Sequence, residues 1–387
     1  MENPLRVAYL TINDARDVKH WSGLVHYMYK CVADQGVQVS LVNCGVPYSK
    51  WLKLKAKLIK LITGGKTYQL DRDPGYAKQV AANAEEQLKT LQYDVIFSPG
   101  SLPFIYLNTN KPMVFWTDAT FHAMVGFYPG WHNLSPLCLK YGNSAEQTAI
   151  NKSSLVLYAS EWARASAINH YGADPGKIKQ VPFGANMETV LTAEEVKAAI
   201  SQRLQHKTIN LLFVGIDWER KGGDLAVETV VKLREKGIDA ELTLVGSLLP
   251  GRFDLPFIKH YPLLKKSVRE DALTLHELYK KATFFILPTR AECFGVVFAE
   301  AGAYGLPVIT SNVGGCPSAV KDGYSGFCLD LKDFSSAAVE KIGLLLRDPA
   351  QYEQFSMHGY ERFNNELNWG VIGKKVVHAL QGVVSKN

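Results

Sequence analysis

The order strand, glycine-bearing loop, helix, strand occurs twice in this chain, and it leaves few folds open. The first copy starts with an apolar strand at residues 6–12 and a polar loop to Ser22 and Gly23. A helix over residues 24–33 follows, stopped near Gly36, and then a second strand at residues 38–42. The second copy has a strand at 209–214 and a loop holding Gly215, Gly222 and Gly223. Its helix covers 224–236, is stopped by Gly237, and leads into a strand at 241–245. Parallel strands need such helical crossovers, so the pattern reads as a parallel sheet. Two starts in 387 residues fit two domains of ordinary size. The expected class is α/β, with two Rossmann-like doubly wound halves; a single large α/β domain is the alternative.

Further strands are expected at residues 95–98, 113–117, 155–159, 284–287 and 308–310. Ser160 and Glu161 read as the cap of a helix over residues 162–171. The halves are expected to join near residues 182–186, giving domains over 1–185 and 186–370, with a last helix from residue 371. Doubly wound sheets bind ligands beyond the carboxyl ends of their strands, so the loops after these strands hold the candidate residues.

Composition narrows the partners only slightly. The formal charge of +6 suits an anionic ligand: a phosphorylated substrate, an acidic membrane or nucleic acid. Basic residues are not interleaved with aromatics along one surface, which argues against nucleic acid. Cys31, Cys44, Cys138, Cys293, Cys316 and Cys328 form no C-x-x-C pair and sit beside no histidine cluster, so no metal is expected. No apolar run reaches the ~18 residues of a membrane span, and the first residues lack a signal-peptide layout. A reduced, cytoplasmic chain with core thiols is expected.

Residues 290–307, RAECFGVVFAEAGAYGLP, carry the strongest chemical signal. A helix beginning near Gly295 would aim its first amides into the loop after strand 284–287. Free N–H groups and the helix dipole there favour an anion such as a diphosphate. Glu292 sits before that helix and can accept hydrogen bonds from sugar hydroxyls. Glu300 lies about one and a half turns inside, within reach of a ribose diol. The plainer reading makes Glu292 a helix-start acid and places Glu300 on a solvated face. In residues 214–222, VGIDWERKG, the adjacent cations Arg220 and Lys221 can neutralise a departing diphosphate. The plainer reading there is an exposed charged loop.

Glu292 and Glu300, with Phe294-Gly295-Val296 between them, resemble the E-x7-E motif of retaining glycosyltransferases of family 4, which have the GT-B fold. Gly302, Gly305 to Ile309, Val313-Gly314-Gly315 and Asp322 to Phe327 continue the likeness. It runs through most of the C-terminal half and, more weakly, the N-terminal half. The resemblance implies two Rossmann-like domains facing across a cleft, with residues 371–387 packing back on the first. It implies that Glu292 contacts the donor sugar, Glu300 the ribose, and the Phe294, Gly295 and Val296 backbone the hydroxyls or phosphate. The family places an Arg after the first glycine of the Gly215 loop and a Lys before the second. Lys221 matches the Lys; Ile216 stands in the Arg position, so that contact is either missing or made by Arg220. Trp21-Ser22-Gly23 resembles the family's glycine loop, where a backbone amide approaches the donor phosphate. Asp118 aligns with the Asp of a His-Asp pair; Thr117 takes the His position, and His122 is the candidate substitute.

The function so implied is transfer of a hexose-type sugar from a nucleotide-diphosphate sugar, UDP first, to an acceptor hydroxyl. Retention would come from front-face attack, with no cofactor and no metal. Lys221, Arg220, Glu292 and Asp118 are the catalytic candidates. Gly23, Gly215, Phe294, Gly295, Val296, Glu300 and His122 are the donor-binding ones. A nucleotide-sugar epimerase of the same fold and a non-catalytic nucleotide-sugar binder are the other readings. The acceptor stays open between a small molecule, a glycan and a lipid-linked species.

Two further segments stand out. Asp71-Arg72-Asp73 has the D-x-D form of a metal–diphosphate clamp, but it follows no strand and is set aside. Residues 50–66, from Lys50 to Lys66, hold six lysines and no acid. As a helix they gather Trp51, Leu54, Leu58, Leu61 and Ile62 on one face and Lys50, Lys53, Lys57 and Lys60 on the other. Such a helix either lies on an anionic membrane or docks its apolar face on its own sheet.

Overall fold

The structure is a computed structural model that describes residues 4–187 and 189–386. The chain divides into two compact units. Unit 1 runs to Pro182 and takes in the chain again from Trp369; unit 2 is Phe183–Asn368.

Unit 1 is built on a six-stranded parallel sheet of order β2-β1-β3-β4-β5-β6. Its strands are β1 (Arg6–Thr11), β2 (Gln38–Asn43), β3 (Val95–Ser98), β4 (Met113–Thr117), β5 (Leu155–Tyr158) and β6 (Ile178–Gln180). Register runs from Arg6 opposite Gln38 to Thr11 opposite Asn43, and Val7 faces Val95 on the other side. The residues of β3 and β5 are buried without alternation, as expected of strands covered on both faces. The helices are α1 (Leu24–Ala33), α2 (Lys50–Ile62), α3 (Pro74–Leu88), α4 (Phe121–Met124), α5 (Pro136–Lys152) and α6 (Glu161–Tyr171). Ser160 caps α6 by accepting from the Ala163 N–H at 3.2 Å.

Two helices between β2 and β3 add to the plain sequence reading. The crossover from β2 to β3 is made by α3, which buries Tyr76, Ala77, Val80, Ala81, Ala84 and Leu88. Asp73 is the cap of that helix. Its carboxylate accepts from the Gly75 and Tyr76 amides at 2.8 and 3.2 Å, from Lys55 Nζ at 2.5 Å and from the Tyr68 hydroxyl at 2.7 Å. The other segment is α2, inserted ahead of the crossover. It seats on unit 1 through Leu52 and Ile59, not through the face holding Trp51, Leu58 and Leu61. Docking of the apolar face on the sheet is therefore overturned.

Unit 2 repeats the plan with order β12-β11-β10-β7-β8-β9. Its strands are β7 (Ile209–Gly215), β8 (Ala240–Gly246), β9 (Ile258–Tyr261), β10 (Phe284–Leu287), β11 (Val308–Ser311) and β12 (Gly326–Leu329). The helices are α7 (Ala193–Gln205), α8 (Trp218–Lys221), α9 (Gly223–Glu235), α10 (Arg269–Lys281), α11 (Val296–Ala303), α12 (Cys316–Ala319), α13 (Phe334–Arg347) and α14 (Pro349–Arg362). Arg203 of α7 is fully buried and donates to the Tyr304 and Gly305 carbonyls, both at 2.9 Å. It thereby satisfies carbonyls that the end of α11 leaves open.

The last helix, α15 (Trp369–Val384), lies in unit 1 against α1. Trp369 stacks on Tyr27 at 5.9 Å and 13°. Gly373 comes so close to the Cys31 carbonyl that a side chain there has no room.

Candidate active site

In each sheet the strand order reverses direction once. In unit 2 that switch point lies between β7 and β10, which pair through Leu211–Phe284 and Leu212–Phe285. The loops leaving the carboxyl ends of two such strands part to opposite faces and open a crevice, where ligands of these folds sit. The β7 loop carries Gly215, Arg220 and Lys221; the β10 loop carries Glu292, Phe294 and Gly295.

Backbone and side-chain bonds lace these loops together. Asp217 caps α8 by accepting from the Arg220 amide at 3.1 Å, and its carboxylate also holds the Arg220 guanidinium at 3.2 Å. That guanidinium donates to the Ala291 carbonyl at 3.0 Å, and the Arg290 amide donates back to the Arg220 carbonyl at 2.6 Å. Arg290 grips Asp224, in the first turn of α9, at 2.7 and 2.9 Å. Burial opposes ionisation of Asp224, but the hydrogen bonds and charge of Arg290, together with backbone N–H donors, outweigh it and hold the carboxyl below its ordinary range. Gly222 has φ 73°, and a side chain there would strike the Pro288 carbonyl. Only glycine lets the loops approach this closely.

Lys221 is ion-paired to Glu292, and Arg220 lies 3.9 Å from the same carboxylate. The side chains of all three are 11–12% exposed. The exposed-loop reading of Arg220 and Lys221 does not hold. Both cations are held beside one carboxylate by the bonds that lace the two loops together.

Gly295, at φ 87°, turns the chain into α11, and no side chain caps that helix. Its start is open to an anion. Phe294 is buried, edge-on to Phe183 at 5.6 Å, which leaves its backbone as the polar part. Val296 is half-buried. Glu300 is 1% exposed, so it is not on a solvated face. It pairs with Lys266 and accepts from the Tyr279 hydroxyl at 3.1 Å. Lys266 also donates to the Asn186 carbonyl at 3.1 Å. Burial, with the charge of Glu300 beside it, raises the Tyr279 pKa far above the usual phenol range and keeps it a donor. Sequence reasoning missed both partners. Lys266 follows β9, whose two middle residues are exposed and whose ends are only half-buried, so it gives little strand signal, and Tyr279 reads as an ordinary core aromatic.

In unit 1 the switch point lies between β1 and β3. The β1 loop ends in three successive left-handed residues, Trp21, Ser22 and Gly23, at φ 49°, 55° and 87°. Holding a non-glycine residue there costs on the order of 1–3 kcal/mol, and such outliers gather at ligand sites. Gly23 then opens α1, again without a side-chain cap. Asp118 is half-buried just past the end of β4. His122 takes another position. Its ring lies flat on His170 at 3.4 Å, near the end of α6 and about 15 Å along that helix from its start.

Among the described residues, no group of three or more His, Cys, Asp or Glu side chains is placed to hold a metal. No helix among them is long and apolar enough to cross a membrane.

Known proteins resemble the chain in sequence and in shape. A D-inositol 3-phosphate glycosyltransferase of Thermobifida fusca is 30% identical over 220 residues, 53% of this chain and 50% of that protein. The chain spans about half the length of the curated relatives it matches. The sucrose-phosphate synthase of Thermosynechococcus elongatus superposes with TM-score 0.71 at 17% identity, over 99% of this chain and 100% of that one. Anabaena Alr3699/HepE, solved with UDP and glucose, gives 0.60 at 14% identity, over 97% and 99%. At these identities the likeness establishes the fold, which is GT-B. The model for Glycosyltransferase Family 4 matches residues 24–189 and that for glycosyl transferases group 1 matches residues 197–362, so the chain belongs to the family 4 glycosyltransferases.

Proposed function

We propose that this protein transfers a hexose from a uridine diphosphate sugar to an acceptor hydroxyl, with retention at the anomeric carbon and without a metal or other cofactor. The observation that carries the reading is the Lys221–Glu292 pair at the switch point of unit 2, beside the open start of α11.

The donor diphosphate draws Lys221 and Arg220 away from Glu292 and takes the first amides of α11. Glu292 is then free to accept from sugar hydroxyls. The ribose diol takes the place of Lys266 on Glu300. As the bond from the anomeric carbon to the diphosphate oxygen breaks, both cations hold the charge that collects on the leaving group. The acceptor oxygen bonds to the anomeric carbon on the face the diphosphate leaves, and its proton passes to the departing diphosphate. The acceptor side is assigned to unit 1. The choice of uridine is supported by the UDP bound in the Anabaena structure. An inositol phosphate belongs in the acceptor panel because of the name of the Thermobifida relative.

A thermal-shift panel of nucleotides and nucleotide sugars, followed by transfer assays in excess EDTA, tests the reading. UDP and a UDP-sugar should raise the melting temperature by mass action. The assay should yield an α-linked product from an α-linked donor. Stabilisation by purine nucleotides alone removes the uridine assignment. An epimerised sugar in a donor-only incubation makes the protein an epimerase. Binding without hydrolysis or transfer across inositol phosphates, glycans and lipid-linked hydroxyls makes it a binder.

A further inference from the structure

The most exposed apolar side chains of unit 1 lie on one helix. In α2, Trp51 is 81% exposed, Ile62 79%, Leu61 77%, Leu58 52% and Leu54 45%. At about 100° per residue these five share one arc of roughly 100°. The buried Leu52 and Ile59 lie on a second arc, and Lys50, Lys53, Lys57 and Lys60 on a third. We propose that α2 is an interfacial helix that seats unit 1 on an anionic phospholipid bilayer.

The helix is held with its apolar arc outward. Ser49 caps it by accepting from the Leu52 amide at 3.1 Å. Leu52 and Ile59 join the core of the unit, and Lys55 is tied to Asp73 at 2.5 Å. The crossover from β2 to β3 is already made by α3, so α2 is not needed to cover the sheet. A water-soluble role leaves five large apolar side chains in solvent for no structural return.

Charge selects the occupant. Lys50, Lys53, Lys57, Lys60 and Lys66 are all exposed, and the chain has no acidic residue between Asp34 and Asp71. Anionic headgroups attract such a row, and the apolar arc beside it enters the acyl boundary, with Trp51 at headgroup depth. A second copy docked antiparallel about a two-fold on the same arc would set both lysine rows on one side, where they repel. The thirteen residues of α2 cover about 20 Å, so the helix lies in the interface and does not span it. None of its residues belongs to the donor site, so this inference stands or fails apart from the proposed reaction.

Co-sedimentation of the full chain with vesicles tests it. The protein should pellet with vesicles of phosphatidylglycerol and phosphatidylcholine in equal parts, and not with phosphatidylcholine alone. Raised salt should release it. Two variants, Leu58→Ser/Leu61→Ser/Ile62→Ser and Lys50→Gln/Lys53→Gln/Lys57→Gln/Lys60→Gln, should each lose roughly tenfold or more in partitioning. Both should keep the wild-type melting temperature and its shift with UDP, which shows that they are folded. Failure to pellet with phosphatidylglycerol vesicles at low salt overturns the proposal. So does binding that the lysine variant leaves unchanged. A dimer in sedimentation velocity that the serine variant dissolves, without vesicle binding, assigns the face to a second copy and also overturns it.

Discussion

Lys221 and Glu292 stand 71 residues apart in the chain and close on each other at the point where the sheet of unit 2 reverses its strand order. The pair is nearly buried, and Arg220 stands behind it. A buried cation kept beside a carboxylate is held for little net stability, since desolvation offsets the attraction. The arrangement fits a task performed when a second anion arrives.

Replacing Lys221 by Ala should lower kcat for transfer by about 2–4 kcal/mol in barrier, roughly a hundredfold or more. Steady-state kinetics on the purified variant, with circular dichroism as the check on folding, measures it. Near-wild-type turnover would take Lys221 out of the chemical step.

Glu300 should behave differently. Glu300→Gln keeps the shape and one acceptor for the Tyr279 hydroxyl, but removes the charge that a ribose diol would bond. KM for the nucleotide sugar should rise about tenfold or more while kcat stays within a few-fold. An equal fall in kcat and kcat/KM with unchanged KM would show that the carboxylate acts on the transition state instead.

Gly222→Ala tests the close approach of the two loops. The new methyl group would meet the Pro288 carbonyl, at a backbone φ of 73° that side chains disfavour. A loss of roughly 1–3 kcal/mol in urea unfolding is expected, together with weaker nucleotide binding. Full stability would mean that the loop can move aside at little cost.

The stacked pair His122 and His170 gives a pH signature. Partial desolvation against the His170 ring lowers the proton affinity of His122, whose side chain is otherwise exposed, and the charge His170 can carry lowers it further. The folded state therefore binds fewer protons than the unfolded state below the ordinary histidine range. Stability should fall as pH drops through about 6.5 towards the depressed folded value. Melting temperatures from about pH 7.5 down to about pH 5.5 should show this, with a smaller fall in His170→Asn. An identical fall in that variant would place the titration elsewhere.

The fold was readable in the sequence wherever strands are central. The runs in β1, β3, β4, β7 and β10 are apolar on both faces and end in glycine, proline or a polar loop. Edge strands were not readable. In β6, Lys179 and Gln180 are exposed, and in β9 only the first and last residues are even half-buried. Both lack the apolar run that marks a strand. The same gap hid Lys266, which has meaning only once β9 places it over Glu300. Glycines were visible as letters, but the left-handed turn at Trp21 and Ser22 was not, because neither residue type announces a positive φ. The helix at Lys50–Ile62 was legible as amphipathic, yet its seat on Leu52 and Ile59 was not. Two apolar residues off the main stripe outweighed five on it, because only those two meet the core.

The C-terminal helix completes a unit whose other elements are made first. During synthesis unit 2 leaves the ribosome with every strand and helix it needs, while α1 still waits for Trp369 to cover Tyr27 and for Gly373 to lie against Cys31. The packing of α1 therefore depends on residues that follow the whole of unit 2 in the chain.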